Sequence, residues 1–178
     1  MKQLTLSNDL KRRVVHGGEL SVGVRKVARP IATKQAMHLV MRSTQARGTQ
    51  SFLAPSNVRW IQAAALRLAR LYQVQIYDFA NSGNHLHFLL RAKTRGGFKS
   101  FLRVLTGLIA MKVGRSGKGR RLNGKFWDLP AFTRIVAWGK AFKVARKYVV
   151  QNTLEALGMI PHAPRKSSPA QIRTGPIG

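Results

Sequence analysis

An α+β sandwich of the split βαβ kind, with four antiparallel strands and helices packed on them, is the fold class this sequence predicts. Three observations carry it. Apolar residues recur with a period that switches along the chain between two residues and about 3.6. The resulting order is strand, helix, strand, strand, helix, strand and terminal helix. The two middle strands are separated only by the turn "NSGN", which makes them a hairpin.

Residues 1–35 are basic, with "KRR" and "RKVARP", show no sustained period and read as an N-terminal arm. "MHLVMRST", 37–44, alternates and reads as a strand with Arg42 near its end. In "SNVRWIQAAALRLARLYQV" the positions Val58, Ile61, Ala65, Leu68 and Tyr72 fall on one helical face. Ser56 or Asn57 is the expected cap, and Arg59, Arg67 and Arg70 lie off the stripe. "VQIYDFA", 74–80, and "HLHFLLRA" form the hairpin. "GGFKSFLRVLTGLIAMKVG", 96–114, is a second amphipathic helix with Phe98, Phe101, Leu102, Leu105, Ile109 and Val113 as its core stripe. "RSGKGRRLNGK", 115–125, is a Gly-rich basic loop without phosphate-loop spacing, suited to backbone contact with nucleic acid. "FWDLPAFTRIVA", 126–137, reads as a strand in which Pro130 requires an edge or a bulge. After Gly139 a last helix runs to Gly158, which stands where a left-handed C′ residue belongs. The single domain is thus expected over 36–158, followed by a Pro/Ser/Gly-rich, disordered tail, 159–178.

Composition narrows the function. The 178 residues carry 32 Lys and Arg against 5 Asp and Glu, a formal charge of +27. Such self-repulsion is offset most readily by a polyanion, and phosphate neutralisation makes nucleic acid the first candidate. An anionic membrane surface is a weaker rival, because no long basic amphipathic helix stands out. The absence of cysteine excludes disulfides, zinc–thiolate centres and cysteine nucleophiles. Asp9, Glu19, Asp78, Asp128 and Glu155 are scattered, which argues against paired-carboxylate catalysis or a three-carboxylate two-metal nuclease. No apolar run long enough to span a bilayer and no signal-peptide core is present, so a cytoplasmic, nucleoid-associated protein is expected.

The chemistry concentrates in two places. In "NSGNHLHFLLRA" the strand period puts His85 and His87 on one face and Leu86, Phe88 and Leu90 on the other. Two adjacent imidazoles on a rigid strand suit a divalent metal; the plainer alternative is a pair of hydrogen-bonded, partly buried histidines. In "KYVVQN" Tyr148 and Asn152 lie one helical turn apart. An asparagine oxygen can complete a Mg2+ or Mn2+ site begun by two imidazoles, and a tyrosine beside it can attack a phosphodiester. The alternatives are a core tyrosine and a solvent-facing asparagine.

These segments resemble the HUH single-strand DNA endonucleases, in particular their single-tyrosine transposases of the insertion-sequence and REP-associated type. "NHLHFLL" looks like their His-hydrophobic-His strand, "YVVQN" with "LEALGMI" is similar to their Tyr-x-x-x-Asn helix, and "GKFWDLPAFTRIV" resembles the segment before it. "RPIATKQAMHLVMRS" resembles their first strand, with its His-x-x-x-Arg pattern. The likeness covers about residues 25–160. It departs at "SGN", where those proteins often carry Met-Pro-Asn, and in lacking a proline after Asn152. The resemblance implies a ferredoxin-like fold and a transposase-like enzyme that cleaves and rejoins single-stranded DNA near hairpins or palindromes through a 5′-phosphotyrosine intermediate. It implies Tyr148 as the nucleophile and His85, His87 and Asn152 as ligands of Mg2+ or Mn2+. Arg42, Arg115, Lys118, Arg120, Arg121 and Lys125 would hold the DNA backbone, and Trp127 would stack on unpaired bases. Such proteins occur as monomers and as homodimers with exchanged helices. Two rivals stand beside this: a domesticated protein that binds hairpins without cutting, and a basic RNA-associated protein.

Overall fold

The computed structural model of the chain describes residues 14–25, 27–114 and 124–161. One antiparallel sheet contains β1 (Val15–His16), β2 (Ala36–Arg42), β3 (Val74–Asn81), β4 (His85–Ala92) and β5 (Phe132–Val136), in the spatial order β1-β5-β2-β4-β3. The helices are α1 (Pro55–Leu71), α2 (Arg95–Val113) and α3 (Lys140–Ala156). β2 and β3 are joined through α1, and β4 is inserted between them, which is the split βαβ arrangement.

The sheet has five strands where the periodicity predicts four. The extra one, β1, comes from the segment expected to be an arm, and two residues are too few to display a period. Gly17 makes the pairing possible: its φ is 85°, and a Cβ there would fall 2.0 Å from the Ala131 carbonyl oxygen. The segment is anchored further by Arg29, which donates to the Ala131 carbonyl and the Thr133 hydroxyl at 2.7 Å, and by buried Ile31. The remainder of the expected arm, residues 1–13, and the tail from 162 onward lie outside the described residues.

Two other expectations are corrected. The strand expected over 126–137 is confined to Phe132–Val136, and Pro130 precedes it in an irregular stretch fastened by the Ser43 hydroxyl, which donates to the Phe126 carbonyl. Neither Ser56 nor Asn57 caps α1. Pro55 occupies its first turn, where a missing N–H costs nothing, and Asn57 is buried, donating to the Ser51 carbonyl at 2.8 Å.

The two faces of the sheet bury unequal cores. Toward α1 and α2, Met37, Leu39 and Met41 of β2 and Leu86, Phe88 and Leu90 of β4 pack on Ile61, Leu68, Phe98, Phe101, Leu105 and Ile109. Toward α3 the buried apolar set among the described residues is Ala36, Ala80, Leu89, Val136 and Val149, rimmed by Tyr77, Phe142, Ala145 and Tyr148. A bulge strengthens this thinner layer. The β3–β4 register steps from Ile76 opposite Leu90 to Asp78 opposite Leu89, so Tyr77 is one residue too many for its partner strand. Tyr77 then meets Phe142 and Trp138 edge-on, and Asp78 pairs with Arg146 of α3 at 3.2 Å. Gly139, at φ 86°, turns the chain into α3; Gly158, at φ 69°, ends it, with the Met159 N–H donating to the Leu154 carbonyl at 2.9 Å.

Candidate active site

The face of the sheet under α3 carries the histidines. Strand alternation puts His85, His87 and Leu89 of β4 there, and the β2–β4 register sets Arg42 opposite His85, Val40 opposite His87 and His38 opposite Leu89. His38 is therefore the diagonal neighbour of His87. Three imidazoles run in a row: His85 and His87 have ring centroids 6.1 Å apart and inclined by 20°, His87 and His38 5.6 Å apart and inclined by 13°. His87 is buried, the other two half-buried.

The turn that launches β4 is held firmly. Gly83 adopts φ 83°, its N–H donates to Asn81 Oδ1 at 3.1 Å, and Asn81 Nδ2 donates to the Phe52 carbonyl at 2.8 Å. The Phe52 N–H returns a bond to the Gly83 carbonyl at 2.7 Å. The "SGN" turn thus reaches a rigid strand start by side-chain bonds to the loop before α1.

Protonation at the site follows from local geometry. Asn84 Oδ1 lies 2.6 Å from His85 Nδ1, and because an amide oxygen only accepts, the proton sits on Nδ1 and the lone pair on Nε2. Burial, and then the nearby Arg42 guanidinium, lower the His85 pKa, partly countered by Asp128. Burial, assisted by Arg134, lowers the His38 pKa to about 4, so this ring is neutral at physiological pH. Arg42 itself bridges to Asp128 at 3.2 Å, beside the histidine row.

α3 brings Tyr148 to the same place from the same chain. Its ring meets His38 and His87 edge-on, with centroids 5.7 and 5.9 Å away. Asn152, one turn later, is buried, and its Nδ2 donates to the Tyr148 carbonyl at 2.7 Å. A neutral amide nitrogen has no lone pair to offer a metal, so the group's ligand chemistry rests with its oxygen. Among the described residues no group of three or more His, Cys, Asp or Glu is arranged to hold a metal ion. A cation here would need two imidazoles supplemented by an amide oxygen, and by donor chemistry His85, His87 and Asn152 would suit a hard divalent ion.

The other expected residues separate. Arg42, the last residue of β2, is exposed opposite His85, and Lys125 is exposed with its carbonyl accepting from Gln45 Nε2 at 2.8 Å. Arg115, Lys118, Arg120 and Arg121 lie outside the described residues. Trp127, expected as a stacking platform, is half-buried: its indole N–H donates to the Thr106 carbonyl at 3.1 Å and its ring packs against Phe52 and Phe126. The residue that sequence reasoning left out is His38. Its alternation with Val40 and Arg42 was visible, but its placement beside His87 depends on the β2–β4 register.

No protein-family model matches the chain, and no curated protein matches it. Its architecture is similar to a solved REP-associated tyrosine transposase bound to a REP hairpin, with a TM-score of 0.56 and 13% sequence identity over 74% of each chain. A solved candidate transposase from Deinococcus radiodurans R1 aligns with a TM-score of 0.44 and 14% identity, over 72% of this chain and 98% of that one. The shared fold is therefore that of the hairpin-bound protein, and among the described residues no helix is long and apolar enough to cross a membrane.

Proposed function

We propose that this chain is a metal-dependent, transposase-like transesterase that cuts and rejoins single-stranded DNA near hairpins through a 5′-phosphotyrosine link. The observation that carries the reading is the delivery of Tyr148 by α3 onto the His38–His87 pair of its own sheet. The structural neighbour was solved with a REP hairpin, which favours the same class of substrate here.

His85, His87 and Asn152 would hold Mg2+ or Mn2+. When bound, the ion would polarise a non-bridging oxygen of the scissile phosphate and offset the charge that builds in the transition state. The Tyr148 hydroxyl attacks phosphorus in line, its proton passing to solvent, and the P–O bond to the 3′ oxygen breaks to leave a 3′-hydroxyl. Tyr148 oxygen now holds the 5′-phosphate, so the energy of the ester is retained and a second 3′-hydroxyl can reverse the step and join strands. Arg42, Lys125 and the basic loop from 115 supply phosphate contacts, which bind without reading sequence.

The test is incubation with a hairpin-bearing single-stranded oligonucleotide and Mn2+, followed by a denaturing gel. A covalent adduct in the wild type that is lost in Tyr148→Phe supports the reading. Tight hairpin binding with no adduct in Mg2+ or Mn2+ would instead identify a non-cleaving hairpin binder.

A further inference from the structure

We propose that His38 is a positioning residue: it accepts the Nδ1 proton of His87 and thereby keeps the Nε2 lone pair of His87 available to a divalent cation. The inference rests on the metal site proposed above, and it adds a residue outside that ligand set.

A neutral imidazole binds a cation through the nitrogen that lacks a proton, so a ligand acting through Nε2 must carry its proton on Nδ1. In water the proton prefers Nε2, the wrong nitrogen for that purpose. An acceptor placed at Nδ1 reverses the preference, which is why metal-bound histidines commonly donate to a carboxylate, carbonyl or water behind them.

The turn before β4 supplies such an acceptor to one histidine directly, through Asn84 Oδ1 at 2.6 Å from His85 Nδ1. The atom facing His87 Nδ1 is His38 Nε2, 3.4 Å away. The two rings are inclined by only 13° with centroids 5.6 Å apart, and a 3.4 Å gap between the nitrogens at that separation places both close to the line joining the ring centres, so they face each other. Both candidate ligands would then present the same nitrogen, Nε2, away from their partners. Among the described residues both aspartates are already paired, Asp78 with Arg146 and Asp128 with Arg42. A neutral imidazole in that role also adds no negative charge opposite an incoming phosphate. Tyr148 closes the far side of both rings edge-on, which restricts their rotation.

Long-range 1H–15N correlation on full-length protein with 15N-labelled histidine, free of metal at pH 8, reads the tautomer of each ring. The wild type should show His87 protonated on Nδ1. His38→Leu should move that proton to Nε2 and weaken Mn2+ binding, followed by electron paramagnetic resonance, by about 10- to 100-fold. His38→Gln, whose Oε1 can accept, should restore both. Wild-type His87 protonated on Nε2 would overturn the proposal even if neither variant folded, and so would an unchanged tautomer in His38→Leu. Wild-type protein that binds no Mn2+ would overturn the metal site itself, a different failure, which the metal-free tautomer spectrum separates from this one.

Discussion

Val149→Ala tests whether the helix that carries Tyr148 is held less firmly than the rest of the fold. Val149 is 1% exposed and, among the described residues, is the one apolar side chain of α3 buried against the sheet beside Ala36, Ala80, Leu89 and Val136. Removing two methyl groups costs roughly 1.6 kcal/mol of transfer free energy, and the small cavity left behind brings the loss to about 2 kcal/mol. The α1–α2 side has a far larger core, with four phenylalanines fully buried, so α3 should open locally before the global transition. If so, the loss appears as roughly 30-fold faster hydrogen exchange at the amides of Phe142–Thr153, with α2 nearly unaffected. Native-state exchange monitored by mass spectrometry with fragment resolution is the assay. Equal acceleration in α2 and α3 would mean that both helices open as one unit, and would refute the argument from unequal cores.

Replacing His85 and His87 together by alanine should abolish cleavage yet leave most hairpin affinity, because basic side chains supply the binding; parallel loss of both in gel-shift and nicking assays would point to a folding role. With a net charge of +27, DNA affinity should fall linearly in a log–log plot against salt, while hairpin single strands still outcompete plain duplex at matched ionic strength in fluorescence anisotropy. The metal-free protein should lose stability on acidification. The His38 pKa is lowered from 6.5 to about 4, so below 6.5 the unfolded chain takes up a proton that the folded one refuses. The contribution is complete above 6.5 and is lost as pH falls toward 4, at most on the order of 3 kcal/mol, with His85 acting in the same direction. Urea titrations between pH 7.5 and 4.5 measure it, and His38→Gln should flatten the slope.

Much of this fold was legible because its elements are long and periodic. The hairpin showed itself through alternation on both sides of a Gly-containing turn, and the stripes of α1 and α2 were visible as 3.6-residue repeats; Ile61, Leu68, Phe98 and Phe101 are buried as that pattern requires. β1 was not legible, since its pairing depends on the close approach that Gly17 allows to Ala131, a contact between positions far apart in sequence. The surroundings of Trp127 were not legible for a related reason: an aromatic residue beside a basic loop looks available for stacking, and only the position of α2 brings its half-buried indole to the Thr106 carbonyl and Phe52. His85 with His87, and Tyr148 with Asn152, stand out as candidate pairs by local spacing, and the family resemblance supplies their expected roles. His38 does not stand out, because strand register is decided by the pairing of β2 with β4 and leaves no mark in either strand separately.

In the proposed reaction the Tyr148 oxygen becomes bonded to DNA. Wild-type protein and Tyr148→Phe should be incubated with the same 5′- and 3′-labelled hairpin-bearing strand in Mn2+, denatured, and analysed by electrophoresis and by mass spectrometry of tryptic peptides. The substitution removes one oxygen and leaves the ring against His38 and His87, so folding and hairpin affinity should stay close to wild type. The account predicts a nucleotide-bearing peptide containing Tyr148 in the wild type, retaining the fragment 3′ to the cut, and neither adduct nor cleavage in the phenylalanine variant. Cleavage that survives in Tyr148→Phe, or an adduct mapped to Tyr72 or Tyr77, would contradict it.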